Sequence, residues 1–324
     1  MSFHVFLEEK VDCAIMEVGV GGEYDSTNVL PCPVVCGITS LGIDHTALLG
    51  DTIDKIAWHK AGIMKPNVPA ITVPQPLLAM EVLEKRSKEI GSKLAILKCD
   101  DVDQMKAVKL GLAGKHQFTN AALANALCLE WMTTKDVLSN SDLKTGLEAA
   151  RWPGRCQRLL LAASPHIDWC LDGAHTPESL QICADWFSDI CLQDDRPIYL
   201  VFNCTHERQG TTLLPPIVAA FQKLNLAGVI FTTNDPFSDP TSSGDLVNKN
   251  TCSDPEHSVQ KSLSTTWTKI MIESSGKSDI EPLIFGTVQE TVKFLESRPQ
   301  CRVLITGSLH LVGSALTVFG NAVE

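Results

Sequence analysis

The segment Val11–Asn28 constrains the fold most tightly, because an apolar run leads directly into a glycine-rich turn and a polar cluster. Residues Val11–Val18 are short and β-prone, so they predict a buried strand of a parallel sheet. Glu17 stands at the carboxyl end of that strand, and the turn Gly19–Gly22 follows. Ligands of open α/β sheets gather beyond the carboxyl ends of strands. The segment therefore predicts a metal–phosphate or substrate site at Glu17.

A purely structural interpretation of this segment remains open from spacing alone. Glu17 can be a satisfied polar residue, and the glycines can serve only to turn the chain. The GVGG turn is not a GxGxxG motif, and Glu23 lies too near it to be the ribose-binding acid expected about 20 residues further on. A nicotinamide-dependent oxidoreductase is therefore disfavoured.

A second strand is predicted at Val34–Leu41, and His45 follows closely on its carboxyl end. The next segment, 52–62, has the apolar spacing of a helix, with Asp51 or Thr52 as its N-cap and Gly62 as its end. Lys60 lies in the last turn of this helix, where a cation also complements the helix dipole. Both a functional role and a purely structural role remain open for Lys60.

Composition excludes some classes of protein. The net charge of −11 disfavours nucleic-acid binding, which needs clustered Lys and Arg. The 12 cysteines are scattered through apolar segments, as free thiols are in a reducing compartment. No apolar run is long enough to cross a membrane, and residues 1–10 have no targeting character, so we expect a soluble, cytoplasmic protein. A mitochondrial form needs an upstream presequence that this sequence does not contain.

The length of 324 residues and the alternation of strands and helices predict an α/β protein with two domains and doubly wound parallel sheets. Proline and glycine between two arginines, in residues 151–155, mark the boundary. The predicted domains are residues 1–152 and 153–324. Residues 234–280 are rich in Ser, Thr, Asn, Asp and Pro, which predicts a flexible surface insertion.

Six motifs occur in the order found in folylpolyglutamate synthases of the Mur-ligase superfamily: EVGVGGEYDSTN, ITSLGIDHTALLG, IAWHKAGIMK, WPGR, LDGAHTPES and ITGSLHLVG. The chain resembles this family from about residue 3 to its end, most closely the eukaryotic form. The resemblance implies a P-loop-type parallel-sheet ATPase domain followed by a Rossmann-like ligase domain. It also implies that ATP and Mg²⁺ are used to join glutamate to the γ-carboxylate of a folate, in one-carbon metabolism.

The resemblance further implies roles for individual residues. Glu17 and His45 match magnesium ligands, and Lys60 matches a lysine that is carbamylated. His175, beside Asp172, is a candidate catalytic residue. ATP contacts are implied for Asn120, Arg155 and Asp172, and folate contacts for Asp25, Ser26, Thr27 and Asn28. The implied partners are small molecules (folate, L-glutamate, ATP and a possible monovalent cation), and we expect a monomer with no nucleic-acid or membrane partner.

One family motif has no match. The sequence contains no GxxxxGK[ST] phosphate-binding loop, because the GK of Gly111–Lys115 continues with His116. The resemblance places that loop upstream of EVGVGG, so the expectation is a truncated ATP-binding domain with little ligase activity of its own. We also expect the N-terminal domain to be less stable than the C-terminal one. The alternative function is that of a weak folate or nucleotide binder.

Overall fold

A computed structural model describes residues 2–133, 139–204, 209–238, 256–275 and 280–320. The chain divides into two compact units. Unit 1 comprises Met1–Lys109 and Phe118–Leu147, and unit 2 comprises Leu110–Gln117 and Glu148–Glu324. The division differs from the predicted boundary, because residues 110–117 and 148–152 belong to unit 2. Gly111 lies against the backbone carbonyls of Glu148 and Ala150, so these two segments are in close contact.

The N-terminal half of the chain contains a three-stranded parallel sheet in the order β1–β2–β3. Its strands are β1 (Cys36–Ile38), β2 (Pro69–Thr72) and β3 (Lys93–Ile96). Its helices are α1 (Ser2–Glu8), α2 (Thr46–Leu49), α3 (Ile53–Ala61), α4 (Leu77–Ile90), α5 (Cys99–Met105), α6 (His116–Met132) and α7 (Asn140–Ala149), with a 3₁₀ turn at Ser26–Val29.

Helices α3 and α4 pack together and cover this sheet. The buried side chains of Ala57 and Ala61 on α3 and of Ala79 and Leu83 on α4 form the core with residues of β1 and β2. Small side chains at the contact let two helices approach closely. Helix α3 is thereby fixed against the sheet, and its last turn carries Lys60.

The predicted strand Val11–Val18 is wrong. These residues form no strand, most of their side chains are exposed, and that of Ile15 is 90% exposed. An apolar run becomes a buried strand only if neighbouring strands satisfy its backbone hydrogen bonds. Within the described ranges no strand pairs with this run, and β1 is an edge strand. Glu17 is therefore held in an extended segment instead of at the end of a strand.

Unit 2 contains a six-stranded sheet in the order β4–β5–β9–β6–β7–β8. Its strands are β4 (Gln157–Leu159), β5 (Ile167–Leu171), β6 (Ile198–Phe202), β7 (Leu226–Thr232), β8 (Leu283–Phe285) and β9 (Cys301–Thr306). Its helices are α8 (Pro177–Cys191), α9 (Gly210–Phe221), α10 (Ser258–Ser275), α11 (Val288–Glu296) and α12 (Leu309–Phe319).

All neighbouring strands of this sheet are parallel except β4, which runs antiparallel to β5. The predicted α/β fold with parallel sheets is confirmed. The one antiparallel pair arises because the connection between β4 and β5 is too short for a parallel crossover. Helices α8, α9 and α10 cover one face of the sheet, and α11 and α12 cover the other. This two-faced cover explains why the strands are apolar on both sides.

Helix α10 lies inside the predicted flexible insertion, so that prediction is wrong for residues 258–275. Leu263 and Trp267 are buried against α9 and the sheet. Their spacing of four residues places both side chains on one face of the helix. Residues 239–255 and 276–279, which belong to the same predicted insertion, lie outside the described residues. No helix in the described ranges combines the length and apolarity needed to cross a bilayer.

A buried ion pair joins β5 to β9. Asp168 and Arg302 are register partners, and Arg302 Nε donates to Asp168 Oδ2 over 2.8 Å. Arg158 on β4 donates to Asp168 Oδ1 over 2.7 Å, and Asp194 accepts a further bond from Arg302. Burial alone raises the pKa of Asp168, but the hydrogen bonds from both arginines outweigh it, and the pKa is lowered. The carboxylate therefore stays charged inside the sheet.

Candidate functional site

The turn that follows Glu17 is ordered by the Asp25 carboxylate. Its Oδ2 accepts hydrogen bonds from the Gly19 and Val20 amides over 3.0 and 2.9 Å. Its Oδ1 accepts from the Thr27 amide (2.9 Å) and the Thr27 hydroxyl (2.6 Å). The Thr27 hydroxyl, followed by the backbone amides, lowers the pKa of Asp25 to about 2. Asp25 therefore stays charged near neutral pH and shapes residues 19–28. We call this segment the folate loop after the contacts that the resemblance predicts for it.

Asn28 attaches the folate loop to the end of α3. Its Nδ2 donates to the carbonyls of Glu23 and Gly62, each over 3.0 Å, and its Oδ1 accepts from Lys65 Nζ over 2.8 Å. A Cβ on Gly22 would lie 2.6 Å from the His59 carbonyl oxygen. Only glycine therefore lets the folate loop approach the end of α3 this closely. The structure gives Asn28 an anchoring role, whereas Ser26 is exposed beside it.

A cavity of about 390 Å³ lies in unit 1 beside β1. Glu17, Thr27, Asn28, Lys60 and Lys65 provide its polar lining, and residues of β1 provide an apolar wall. The structure therefore brings together Glu17, Lys60 and part of the folate loop, which the sequence connected only through the family resemblance. A cavity with few convergent polar groups and an apolar wall is typical of small-molecule sites.

Lys60 is partly buried on the last turn of α3. Burial lowers the pKa of its amine, and the nearby Asp44 carboxylate opposes that shift. A lowered pKa increases the fraction of neutral amine, which is the form that reacts with electrophiles. The chemistry of Lys60 is therefore compatible with carbamylation.

His45 does not line the cavity. It caps α2 with φ of 53°, and its Nε2 lies 3.9 Å from Asp44 Oδ2. Across the described ranges, no three His, Cys, Asp or Glu side chains form a group that could hold a metal ion. Magnesium, however, commonly binds one or two carboxylates and takes its other ligands from substrate phosphates and water. The Glu17 carboxylate in the cavity fits that type of site, and His45 is an unusual ligand for it.

In unit 2, the Asp172 carboxylate follows β5 and is buried. Its Oδ2 accepts from the Cys156 amide over 2.7 Å, and its Oδ1 accepts from the Ala174 amide over 2.9 Å. These bonds tie the segment containing Arg155 to the end of β5. Arg155 itself is exposed, so its guanidinium is accessible to an anion. Asn120 is partly buried in the second turn of α6 and belongs to unit 1.

His175 lies at the start of α8. Its Nδ1 is 2.7 Å from the Gly173 carbonyl oxygen, and because a carbonyl only accepts, Nδ1 carries the proton. The His175 amide donates to Ser179 Oγ over 3.0 Å, which fixes the backbone at this point.

The sequence analysis did not identify two residues: His116, near Asp172 and Arg155, and Arg86, near the folate loop. The partly buried His116 lies close enough to Asp172 and Arg155 to feel both charges, and burial lowers its pKa. Its Nδ1 is buried without a hydrogen-bond partner. Arg86 on α4 contacts the folate loop from 63 positions away. Neither residue belongs to a motif, so the sequence offered no signal for them.

Each unit has an α/β fold, and unit 1 presents a cavity with polar groups beside a glycine-rich loop. These features place the chain in the class of α/β ligand-binding proteins. Among solved structures, the Mycobacterium tuberculosis folylpolyglutamate synthase complexed with ADP and AMPPCP matches with a TM-score of 0.71. That match covers 99% of this chain and 71% of that one, at 24% identity. The apo form of the L. casei enzyme matches with a TM-score of 0.70 over 97% of this chain and 67% of that one, at 22% identity.

Sequence comparison finds relatives of the same kind. Residues 158–318 match the family model for the C-terminal domain of dihydrofolate synthetase. The folylpolyglutamate synthase of Saccharomyces cerevisiae (strain YJM789) is 38% identical over 334 aligned residues, which cover 98% of this chain and 59% of that relative. The chain is similar to folylpolyglutamate synthases over nearly all of its own length, and it spans about three fifths of the length of the curated relatives it matches.

Proposed function

We propose that this chain acts in the ATP-dependent ligation of glutamate to the γ-carboxylate of tetrahydrofolate. The observation that carries the proposal is the cavity of unit 1, where Glu17, Lys60 and the folate loop meet. The similarity to curated folylpolyglutamate synthases supports it, and the ADP and AMPPCP complexes of the Mycobacterium tuberculosis relative support a nucleotide substrate.

The proposed reaction has two steps. The γ-phosphoryl group of ATP passes to the folate γ-carboxylate, which gives an acyl phosphate and ADP. The amine of glutamate then attacks the acyl carbon, loses a proton, and displaces phosphate to form the amide. Glu17, with His45 as the second ligand that the resemblance predicts, would hold a magnesium ion, and that ion would neutralise charge at the phosphates.

The chain's own residues hold the reactants and move a proton in this proposal. Arg155 binds a phosphate or the ribose, and Asn120 contacts the adenine. Asp172 contacts the ribose while it anchors the Arg155 segment through the Cys156 amide. His175, at the start of α8, is the candidate for accepting the proton that the glutamate amine loses.

The test is the incorporation of labelled glutamate into tetrahydrofolate by the purified chain with ATP and magnesium. Turnover is expected to be lost in Glu17→Ala and kept in Glu81→Ala, an exposed carboxylate on α4 that lies outside the cavity lining. His175→Asn is expected to lose turnover while tetrahydrofolate binding persists. Turnover that survives Glu17→Ala contradicts the assignment of the site.

A second function is favoured by one observation, the lack of a GxxxxGK[ST] motif in this sequence. Such a loop holds the β- and γ-phosphates with backbone amides at a helix N-terminus. Without it, we propose that the chain acts as a weak binder of folate or nucleotide. Binding of tetrahydrofolate or ADP by calorimetry, with no incorporation of glutamate, is the result that selects this alternative.

A further inference from the structure

The side chain of Arg86 on α4 reaches across to the folate loop. Its Nη2 lies 2.6 Å from Glu23 Oε2, and only 16% of the arginine side chain is exposed. Its guanidinium also lies over the ring of Trp58 on α3, 4.6 Å from the ring centroid. A charge-assisted bond in a partly buried setting is stronger than an exposed ion pair. Arg86 therefore holds both Glu23 and Trp58.

The two partners of Arg86 contact different parts of the folate loop. The Glu23 amide donates to the His59 carbonyl over 2.8 Å, and the Glu23 carbonyl accepts from Asn28. The Trp58 ring contacts the exposed ring of Tyr24, with 6.2 Å between centroids. Through Glu23 the Arg86 guanidinium is thus linked to the backbone of the folate loop, and through Trp58 it is linked to the exposed Tyr24 ring.

We propose that Arg86 is a positioning residue for the folate loop and sets the affinity for the folate substrate through Glu23 and Trp58. The KM readout of this proposal rests on the proposed ligase function, whereas the hydrogen-exchange readout does not. Arg86 is not in the lining of the cavity that holds Glu17 and Lys60, so its action is indirect.

Arginine suits this position better than lysine. The planar guanidinium stacks on Trp58 and bonds to Glu23 at the same time, whereas a lysine ammonium keeps only the charge. The Arg86 Nε is buried without a hydrogen-bond partner, which is unfavourable for folding. The contact to Glu89 within α4 is longer, at 3.8 Å. Contacts within α4 alone therefore do not explain the position of the Arg86 side chain.

The test compares Arg86→Met, Arg86→Lys and Glu23→Gln with a matched control on the same helix. Lys85→Met is that control, since the Lys85 side chain is 78% exposed and lies 4.0 Å from Glu89. The first readout is amide hydrogen exchange in residues 19–28, with β1 as the internal reference. The second is the KM for tetrahydrofolate and for ATP in the glutamate-incorporation assay, with Tm measured alongside.

Arg86→Met and Glu23→Gln are expected to speed exchange in residues 19–28 and to raise the KM for tetrahydrofolate about tenfold, with the KM for ATP unchanged. Arg86→Lys should resemble Arg86→Met, and Lys85→Met should resemble the wild type. A lower Tm with unchanged exchange in the loop or an unchanged KM for tetrahydrofolate overturns the proposal. If the wild type shows no turnover, the proposed ligase function fails separately, and the exchange measurements alone decide the role of Arg86.

Discussion

Lys60 combines a charge with partial burial at the end of a helix that packs on the sheet. Its cavity also contains Lys65, which differs in one respect: the Lys65 ammonium donates to the Asn28 side chain. Burial lowers the pKa of the Lys60 amine and so increases its neutral fraction. The two lysines therefore form a natural pair for testing reactivity.

Lys60 is expected to form a carbamate with dissolved CO₂, more readily as the pH rises and the neutral amine becomes more abundant. The measurement is ¹³C NMR of the chain in labelled bicarbonate. The carbamate carbon signal should disappear in Lys60→Met and persist in Lys65→Met. A signal of equal intensity in Lys60→Met would show that another amine reacts.

Arg302→Met is expected to lower the free energy of unfolding by about 3–5 kcal/mol, because it leaves the buried Asp168 with a single partner. Arg158→Met should cost less, since its side chain is 41% exposed. Because the pKa of Asp168 is lowered in the folded state, the stabilisation is present above pH 3.8 and is lost as the pH falls through the folded pKa. Urea unfolding at neutral and acidic pH measures both effects, and equal costs for the two variants would contradict this account.

At the scale of elements, periodicity predicted several helices and strands well. The predicted helix over 52–62 contains α3 (Ile53–Ala61), and the predicted strand Val34–Leu41 contains β1 (Cys36–Ile38). Helix α10 was missed because its many Ser and Thr residues suggested a loop. The apolar spacing of Leu263 and Trp267 outweighs that composition once α9 offers a face to pack on.

Trp267→Ala is expected to cost about 3–5 kcal/mol of stability, because the side chain is 0% exposed and its removal leaves a cavity. Thr265→Ala, on the exposed face of the same helix, should change stability by less than about 0.5 kcal/mol. Thermal and urea unfolding of both variants measure the difference. Similar stabilities would mean that α10 contributes little to the core of unit 2.

At the scale of the whole molecule, the sequence predicted Glu17, Lys60 and the folate loop as parts of a site, and the structure gathers them around a cavity. It could not predict how the loop is held. Arg86 and Glu23 are 63 positions apart, and contacts at that separation follow from tertiary packing, which local patterns do not encode. Glu17 was placed at a strand end because the apolar pattern cannot reveal whether a neighbouring strand is present.

Unit 1 is expected to be less stable than unit 2. Its sheet has three short strands with α3 and α4 packed on it, whereas the six-stranded sheet of unit 2 is covered on both faces. Native-state hydrogen exchange should therefore show faster opening of β1, β2 and β3 than of β5, β6 and β9. Slower exchange in the strands of unit 1 would contradict this expectation.

The edge position of β1 and the exposed run at residues 11–18 have a consequence for handling the protein. A strand edge that no other described strand covers, beside exposed apolar side chains such as Ile15, is a template for pairing with other chains. Aggregation of this chain should therefore begin in unit 1 and rise steeply with concentration. Replacing Ile15 with lysine should raise the soluble yield, because a charge on such a segment opposes intermolecular pairing.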